Sequence, residues 1–436
     1  MNNTHPHLTE QLPPLSDHEA LVEASRCLYC YDAPCTHACP THIDIPSFIR
    51  KITTGNLTGS SRTILEANIL GATCARVCPV QELCEGACVL KADHKPIMIG
   101  RLQRYSTDQV AHRNLFTLAP PNGRKVAVIG AGPAGLACAA YLARRGYSVT
   151  IYEKRELPGG LSTYGIIALR EPIQVALDEV EMIRRLGVTI ETNRELGVNL
   201  HWDELRNAHH AVFLSVGLGA TPTLNIPGEE FITDGLTFIE QSKLLPEGPA
   251  VGSEVIVIGA GNTAIDCATI ARRLGAPRVT MVYRRSEKEM TAYPHEFDFV
   301  KLEGVDMRFL TRPSRVITDN GRITALECTR VELGAHDASG RPSPQDAPDS
   351  AFLIPADQII KAIGQHKPSL ASQLGLATDR GFIQVNPSFE TSIPGVFAGG
   401  DCIRAKGAAS TVMAVQDGKL AADAIHAKLD QEKSNG

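Results

Sequence analysis

The sequence predicts an α/β protein in which two Rossmann-like dinucleotide-binding domains, one inserted into the other, follow an α-helical domain rich in cysteine. Three observations predict this organisation. A GxGxxG turn begins at Gly130, a GxGxxA turn begins at Gly259, and eight of the 12 cysteines lie between Cys27 and Cys88. Each turn stands between an apolar, strand-like run and a helix, as dinucleotide-binding turns do. We expect the helical domain at 1–118, the first Rossmann-like domain at 119–225 and 366–436, and the inserted domain at 226–365.

Composition and charge narrow the class of protein. The chain has 436 residues and a formal net charge of −5, so it lacks the basic surface by which proteins bind nucleic acid. The N-terminal stretch is polar, unlike a signal peptide, and no apolar run approaches the length of a membrane span. We therefore expect a globular cytoplasmic protein, whose reducing surroundings favour thiolate ligands over disulfides.

The N-terminal cysteines have the spacing of iron–sulfur ligands. They read Cys27-x2-Cys30-x4-Cys35-x3-Cys39-Pro, then Cys74-x3-Cys78-Pro, Cys84 and Cys88, and the stretch between the two groups reads as helices with a turn near Gly55. Short spacings let one loop supply several thiolates, and a Cys-Pro that ends a run often ligates the other cluster of a pair. Zinc is the alternative, although it prefers paired C-x2-C units, and only the first two cysteines have that spacing.

The first Rossmann-like domain begins with the strand 126–129, the glycine turn, an alanine-rich helix and the strand 148–152. The glycines allow a tight turn and close approach of backbone to a pyrophosphate at the helix N-terminus. An acid about 20 residues further on suits the ribose hydroxyls. The candidate nucleotide-binding residues here are Gly130, Gly132, Pro133, Ala134, Gly135, Glu153 and Lys154.

The C-terminal segment completes this site and indicates that it holds FAD. After the strand 396–398 comes Gly400, and Asp401 is placed to hydrogen-bond the ribityl chain. A helix from about Ser410 would aim its N-terminal N–H groups, including those of Thr411 and Val412, at the flavin N1/C2 region, where reduced flavin is negative. The strand that starts at Ala211 ends beside the cofactor at Gly217. This pattern matches flavin reductases with two dinucleotide domains.

The inserted domain has the pattern of a nicotinamide-nucleotide site. Its strand 253–258 leads into a turn and helix, and the next strand, 279–283, ends on Arg284 and Arg285. NAD sites usually place an acid there, whereas arginine accommodates a 2′-phosphate, so we expect NADPH, with NADH as the alternative. The domain closes with the strand 358–363. The remaining candidate residues are Gly259, Gly261, Asn262, Thr263, Ala264 and Gly364.

Together these motifs resemble the N-terminal half of dihydropyrimidine dehydrogenase and the small subunit of glutamate synthase. The resemblance spans nearly the whole chain and implies two [4Fe-4S] clusters. By position, one would be held by Cys27, Cys30, Cys35 and Cys88, and the other by Cys39, Cys78, Cys84 and a non-cysteine ligand. The motif IGRLQRYSTD places Gln103 at that fourth position, which favours the pyrimidine branch over the glutamate synthase branch. The alternative is that Cys74 is the ligand and Gln103 an ordinary helix residue.

The same family has a closely similar segment to ELPGGLSTYGIIALREP beside the flavin ring. The resemblance makes Gly160, Leu161, Tyr164 and Arg170 candidate contacts of the ring, with Arg170 as a residue that tunes the flavin. For Tyr164, core packing is the alternative. No catalytic side chain is expected, because flavin N5 itself accepts the hydride.

The resemblance also implies a partner chain. Nothing in the sequence resembles the FMN-containing (β/α)8 barrel in which the family reduces pyrimidines, so we expect a reductase subunit that passes electrons from NAD(P)H through FAD and the clusters to such a barrel, within a heterotetramer. The barrel would interconvert uracil or thymine and their 5,6-dihydro forms. The alternatives are the small subunit of NADPH-dependent glutamate synthase and an electron-carrier module for another partner.

Overall fold

The computed structural model describes residues 7–110, 114–337, 340–404 and 409–434. The chain divides into two compact units, which we call the larger and the smaller unit. The larger unit comprises the described residues of Gln11–Thr163, Ile173–Leu218 and Lys367–Gly436. The smaller unit comprises the described residues of Met1–Glu10, Tyr164–Pro172 and Gly219–His366. The domain boundaries expected from the sequence stay a prediction, since this division groups the first two expected domains together.

Helices and strands are labelled in chain order over the described residues. The α-helices are α1 (Asp17–Ser25), α2 (Pro34–Ala38), α3 (Ile45–Thr53), α4 (Leu57–Ala67), α5 (Gly71–Val77), α6 (Ile99–Asp108), α7 (Pro133–Ala143), α8 (Leu161–Tyr164), α9 (Ile173–Arg184), α10 (Trp202–Ala208), α11 (Gly235–Leu244), α12 (Asn262–Arg273), α13 (Pro294–Leu302), α14 (Leu370–Gln373) and α15 (Thr411–Ser434). The strands are β1 (Lys125–Ile129), β2 (Ser148–Tyr152), β3 (Thr189–Glu191), β4 (Ala211–Leu214), β5 (Thr233–Asp234), β6 (Glu254–Ile258), β7 (Arg278–Val282), β8 (Asp306–Arg308), β9 (Thr311–Asp319), β10 (Arg322–His336), β11 (Pro342–Asp346), β12 (Phe352–Pro355), β13 (Gln358–Lys361), β14 (Thr378–Asp379), β15 (Phe382–Ile383) and β16 (Val396–Ala398). Short 3-10 turns lie at Val89–Lys91, Glu229–Phe231, Glu287–Glu289 and Gly400–Ile403.

The N-terminal part of the larger unit is helical because its sequence alternates capping residues with amphipathic runs. Ser16 and Glu19 form a capping box at the start of α1, and Asp44 accepts a hydrogen bond from the N–H of Ser47 at the start of α3. Phe48 and Ile49 are fully buried. Gly55, with φ at +72°, makes the turn between α3 and α4 where the sequence predicts one.

The remainder of the larger unit is built on a parallel five-stranded sheet in the order β16-β4-β1-β2-β3. The central strands β1 and β4 are short, apolar runs that are buried along almost their whole length. The helices α7 and α15 pack together closely because Gly418 of α15 lies against Ala134, where a Cβ atom would stand 2.1 Å from the Ala134 carbonyl oxygen. This packing brings the start of α15 and the turn before α7 to the same end of the sheet.

The smaller unit contains a second parallel sheet in the order β5-β13-β6-β7-β8. An antiparallel sheet of β9, β10, β11 and β12, which the sequence analysis did not predict, lies between β8 and β13 in the chain. Cys138, Cys267, Cys328 and Cys402 are fully buried core residues. Among the described residues, no helix combines the length and apolar character needed to cross a bilayer.

Candidate functional site

The first glycine turn has one open position and two closed ones. A Cβ atom on Gly130, whose φ is +101°, would lie 2.6 Å from the Ser215 carbonyl oxygen. On Gly135 it would lie 2.0 Å from the carbonyl oxygen of Gly130. On Gly132 it would meet no atom of the described residues within 4 Å. The turn is therefore packed tightly against β4 and α7 but open at Gly132, where the backbone and the N-terminus of α7 can meet a pyrophosphate.

Glu153 holds this turn from the end of β2. Its Oε2 accepts a hydrogen bond of 2.8 Å from the N–H of Ala131, and its Oε1 accepts one of 2.9 Å from the N–H of Arg155. The side chain is buried, whereas the neighbouring Lys154 is exposed. A carboxylate has about four acceptor positions, so these two bonds leave capacity for ribose hydroxyls.

The loop at Gly160 closes over the same turn. With φ at +60°, Gly160 approaches Gly132 so closely that a Cβ atom would lie 2.8 Å from the Gly132 Cα. Leu161 is 42% exposed. On the other side, Gly217 has φ at +63° and lies just beyond β4. The larger unit thus brings these three predicted residues to one end of its sheet.

The C-terminal return adds a buried carboxylate, Asp417, a half-buried one, Asp401, and a helix N-terminus. The N–H of Gly400 donates to Asp417 at 3.1 Å, and Arg404 forms an ion pair with the same carboxylate. Burial raises the pKa of Asp417 to about 6, and burial also raises the pKa of Asp401. At the start of α15, Ser410 accepts a hydrogen bond from the N–H of Met413.

The first N–H groups of a helix have no partner within it, so the start of α15 can meet a negatively charged atom. Ser410 leads into Thr411 and Val412, which form the first turn of this helix. All three predicted residues therefore lie at one helix N-terminus, as the sequence analysis expects. Val412 is also buried, so its side chain faces the protein interior.

The second glycine turn lies between β6 and α12 in the smaller unit. Gly259 has φ at +137°, and a Cβ atom there would stand 2.2 Å from the Ala362 carbonyl oxygen. Ala264 is fully buried under the helix, and Asn262 accepts a hydrogen bond from the N–H of Tyr293. A Cβ atom on Gly261 would lie 3.1 Å from the Thr291 hydroxyl oxygen. Thr263 is half-buried in the first turn of α12, and Gly364 is exposed after β13.

The two arginines after β7 have different surroundings. The Arg285 side chain is buried, and its guanidinium donates to Asp337 at 2.8 Å and to the Pro342 carbonyl at 2.8 Å. Arg284 is exposed. Desolvation, together with the positive charges of Arg285, Arg312 and Arg341, lowers the pKa of Arg284. Arg284 is therefore the better candidate for an anionic group, and the expectation that Arg285 shares this role has no support from its contacts.

Arg170 and Tyr164, predicted contacts of the flavin ring, belong to the smaller unit. Arg170 donates to Asp266 at 2.8 Å and pairs with Glu296. Burial alone would lower the pKa of Arg170, but the two carboxylates raise it, and burial raises the pKa of Asp266 to about 6. Tyr164 is buried. The guanidinium is thus engaged by two acids, so flavin tuning by Arg170 stays a prediction that these contacts do not support.

Four of the cysteines line one cavity in the helical part of the larger unit. Cys27, Cys30, Cys35 and Cys88 line this cavity together with apolar side chains such as Ile49 and Ile99. Burial raises the pKa of Cys27, and burial raises the pKa of Cys35 to about 11. These four are the ligand set that the resemblance implies for the first cluster.

A second cavity is lined by the other set of cysteines. Its lining includes Cys39, Cys74, Cys78, Cys84, Gln103 and, from the first turn of α15, Val412. The Nε2 of Gln103 donates to the Gly71 carbonyl at 2.7 Å, which leaves Oε1 outside that hydrogen bond. Burial and a hydrogen bond that the Cys78 thiol donates to Cys74 raise the pKa of Cys78 well above its ordinary value. Because Cys74 and Gln103 line the same cavity, both remain candidates for the fourth ligand.

The donor sets of both cavities fit iron–sulfur clusters, which are held by convergent thiolates in apolar surroundings. All 12 cysteines are free. Within residues 7–110, 114–337, 340–404 and 409–434, no three His, Cys, Asp or Glu side chains form a site for a single metal ion.

Two residues that support these sites were not found from the sequence. The Ser215 hydroxyl donates to the carbonyls of Ile129 and Gly130 at 3.0 and 2.9 Å and so ties β4 to the first glycine turn. Glu179 of α9 is buried and accepts hydrogen bonds from the N–H groups of Ala72 and Thr73, at the start of the cysteine-bearing helix α5. For Ser215, the only signal in the sequence is its position just after an apolar strand. For Glu179, nothing in the neighbouring sequence indicates its contact with α5.

Family models match both parts of the chain. Residues 124–418 match the pyridine nucleotide-disulphide oxidoreductase family. Residues 5–115 match the model described as dihydropyrimidine dehydrogenase domain II, 4Fe-4S cluster. The first match implies FAD and NAD(P) as cofactors, and the second denotes a 4Fe-4S cluster. The second match therefore favours an iron–sulfur cluster over zinc as the group bound by the N-terminal cysteines.

Several curated proteins are similar over most of this chain. The NAD-dependent dihydropyrimidine dehydrogenase subunit PreT of Escherichia coli K12 is 36% identical over 97% of this chain and 98% of its own length. The glutamate synthase [NADPH] small chain of the same organism is 33% identical over 94% of this chain and 92% of its own length. The NADP(+)-dependent formate dehydrogenase subunit beta of Moorella thermoacetica is 37% identical over 92% of this chain, which covers only 60% of that protein.

Solved structures support the fold. Mycobacterium tuberculosis FprA in complex with NADPH aligns over 73% of this chain and 86% of its own, with a TM-score of 0.59 and 18% identity. Thioredoxin reductase of Lactococcus lactis aligns over 71% of this chain and 99% of its own, with a TM-score of 0.54 and 22% identity. The predicted fold class, the FAD and NAD(P) cofactors and the presence of an iron–sulfur cluster are confirmed. The chain therefore belongs to the pyridine nucleotide-disulphide oxidoreductase family, as an NAD(P)-dependent flavin and iron–sulfur oxidoreductase related to the PreT subunit.

Proposed function

We propose that this chain is the reductase subunit of a cytoplasmic dihydropyrimidine dehydrogenase. It oxidises NADPH and delivers the electrons through FAD and two [4Fe-4S] clusters to a partner subunit with an FMN-containing barrel, which reduces uracil or thymine to the 5,6-dihydropyrimidine. Bound FAD supplies the conversion of a hydride into single electrons, and the clusters supply a one-electron relay. The contribution of this chain is to hold, orient and insulate these groups.

One contact supports this arrangement most strongly. Val412, in the first turn of the helix that is predicted to face the flavin, also lines the second cysteine cavity. The flavin helix and the second cluster site are thus neighbours within the larger unit. In this proposal, Cys39, Cys78, Cys84 and Gln103 would hold the cluster beside the flavin helix, and Cys27, Cys30, Cys35 and Cys88 would hold the other. Both clusters would supply one-electron acceptors for the reduced flavin.

The flavin is held by groups whose roles follow from the turn geometry. The open backbone at Gly132 receives the pyrophosphate, and Glu153 orients the adenosine ribose while it braces the turn through Ala131. The N-terminus of α15 stabilises negative charge on the reduced ring. In the smaller unit, the exposed Arg284 binds the 2′-phosphate of NADPH, and the buried Arg285 supports the loop.

The exit for electrons is the surface around the first cysteine cavity. Leu28, Tyr31 and Val89 are exposed by 61%, 105% and 44%, and each adjoins one of the cavity's cysteines in the sequence. Leu28 and Val89 also line the cavity itself. Clustered, exposed apolar side chains mark interaction surfaces. We assign this surface, which we call the exit face, to the electron-accepting partner.

Glutamate synthase offers the second candidate partner, because its small chain matches over almost the same length at 33% identity. Expression of this chain with an FMN-barrel subunit and, separately, with a glutamate synthase large subunit distinguishes the two. Uracil-dependent NADPH oxidation only with the barrel supports the proposal. Glutamine- and 2-oxoglutarate-dependent oxidation with the other partner, and none with the barrel, would overturn it in favour of the alternative.

A variant tests the electron route within this chain. Cys39→Ser removes a ligand of the second cluster but leaves the FAD and NADPH turns intact. We expect anaerobic NADPH still to bleach the flavin, while uracil-dependent oxidation with the barrel subunit falls to background. Cys328→Ala, at a buried cysteine of β10 that lines neither cavity, is the matched control and should retain both activities. A flavin band that NADPH leaves unchanged in the wild-type chain would instead indicate a carrier or scaffold module.

The fourth ligand of the second cluster is tested by iron content and spectra. Gln103→Ala should lose iron and the electron paramagnetic resonance (EPR) signal of one reduced cluster, whereas Cys74→Ala should keep both. The reverse pattern would assign the ligand to Cys74.

A further inference from the structure

A buried hydroxyl faces the thiol of Cys39. The Cys39 Sγ and the Thr41 Oγ1 lie 3.4 Å apart, and Thr41 is fully buried. Either atom of a neutral pair could donate, but a thiolate has no proton and can only accept. When Cys39 is a thiolate ligand, the Thr41 hydroxyl therefore donates a hydrogen bond to its sulfur.

A lysine from a distant part of the chain holds the same segment. The Nζ of Lys419 donates to the carbonyl of Thr41 and to that of Ala67, both at 2.9 Å. Lys419 is half-buried on α15, two turns after Val412, which lines the second cavity. Desolvation lowers the pKa of Lys419, and the negative charges of Asp423 and Cys39 offset this effect only in part. The helix that begins at the flavin site thus also carries a cation to the cluster site.

We propose that Thr41 and Lys419 are positioning residues that raise the reduction potential of the cluster bound through Cys39. This inference rests on the proposed function, in which Cys39 is a cluster ligand. Reduction of that cluster adds one electron, taken from the reduced flavin, and neither forms nor breaks a covalent bond. The reduced state is the more negative one, so it gains more from a hydrogen bond to the ligating sulfur and from a nearby cation.

The arrangement has a consequence for the direction of electron flow. The cluster that adjoins the flavin helix would have a higher reduction potential than its cysteine ligands alone would give it, and would therefore accept electrons more readily. The hydroxyl acts on the sulfur directly, whereas the ammonium acts through its charge and by fixing the Thr41 backbone. The two effects are separable by substitution, because Thr41→Ser keeps the hydroxyl and Lys419→Arg keeps the charge.

The test is an anaerobic redox titration of the full chain, followed by EPR. We expect Thr41→Val to lower the midpoint potential of one cluster, with a reduced-to-oxidised ratio about tenfold smaller at a fixed potential, which is 59 mV for a one-electron couple. Lys419→Met should shift the same couple in the same direction. Thr41→Ser and Lys419→Arg should stay near the wild-type value. Lys428→Met is the matched control, since Lys428 lies on the same helix but pairs with Glu390.

Each result decides a different claim. If Cys39→Ser leaves iron content and both signals intact, Cys39 is not a ligand and the ligation in the proposed function fails. If that variant loses one signal but neither Thr41→Val nor Lys419→Met moves the couple, the ligation stands and this inference is wrong. Should Thr41→Val assemble no cluster, Lys419→Met compared with Lys419→Arg decides alone. An equal shift in Lys428→Met would mean that helix charge acts nonspecifically, which also overturns the inference.

Discussion

Replacing Gly132 by alanine separates FAD binding from folding. At Gly132 φ is −78°, which any residue adopts, and a Cβ atom would meet no described atom within 4 Å. As the N-cap of α7, glycine stabilises the helix by up to about 1 kcal/mol relative to alanine. Alanine, however, reduces the conformational entropy of the unfolded chain, which stabilises the folded protein by about 0.4–1 kcal/mol. These two effects offset each other, so the FAD-free protein should keep its free energy of unfolding.

FAD binding should nevertheless weaken strongly. The methyl group would occupy the space in which the pyrophosphate meets the turn, and the loss of one hydrogen bond to a charged group costs about 1.5–3 kcal/mol. That corresponds to an increase of about 10- to 150-fold in the Kd for FAD. The Kd is measured by calorimetric titration of the deflavinated protein, and stability is measured by urea unfolding of the same preparation.

Gly135→Ala is the matched comparison within the same turn. Its Cβ atom would lie 2.0 Å from the Gly130 carbonyl oxygen and 2.6 Å from the Ser215 Oγ, so the turn itself must shift. Overpacking of this kind costs about 1–3 kcal/mol, so this variant should lose stability even without FAD. Wild-type FAD affinity in Gly132→Ala would refute the assignment of the pyrophosphate to this turn. A large loss of stability in that variant would refute the reading of Gly132 as an open position.

Four further substitutions test roles that we assign from the structure. Arg284→Ala should raise the Kd for NADPH by about 10- to 150-fold with NADH unaffected, as expected for one lost charged hydrogen bond. Arg285→Ala should instead lower stability by about 1–3 kcal/mol, because it removes a buried guanidinium that donates to Asp337 and to the Pro342 carbonyl. Equal losses for both coenzymes in Arg284→Ala would contradict phosphate recognition. Glu153→Gln should weaken FAD binding and destabilise the FAD-free turn, measured by the same titration and unfolding; unchanged values in both would contradict its bracing role. Tyr31→Glu should keep NADPH-dependent dye reduction while partner affinity falls about tenfold, and unchanged affinity would remove Tyr31 from the exit face.

Much of the fold could be predicted because its signals are local. The strand β2 begins and ends where the sequence predicts, β16 likewise, and α15 begins within a residue of Ser410. Apolar runs, glycine turns and helix starts depend on a few neighbouring residues, so they can be read without tertiary contacts. The antiparallel sheet of β9–β12 was missed, because its strands are largely half-exposed and polar and lack a strong apolar run.

The candidate sites were likewise predictable only where their signals are local in the sequence. Spacing alone indicated iron–sulfur ligands, and the resemblance supplied two sets of them, but only packing brings Cys88 into one cavity with Cys27. Packing also engages Arg285 with Asp337 and Arg170 with Asp266, and it places Val412 beside the second cavity. These partners are separated by about 50 to more than 300 positions in the chain, and sequence spacing carries no distance over such separations.

The sequence by itself therefore determined the cofactor classes and predicted the turns that would receive them, since a dinucleotide turn and a cysteine run carry their chemistry within a few residues. Only the tertiary structure decided which charged groups are already engaged, which cysteines share a cavity, and that Thr41 and Lys419 meet beside Cys39. The physical reason is that burial and hydrogen bonding between distant segments are set by how helices and sheets pack, and side chains of the same type acquire different roles from that packing.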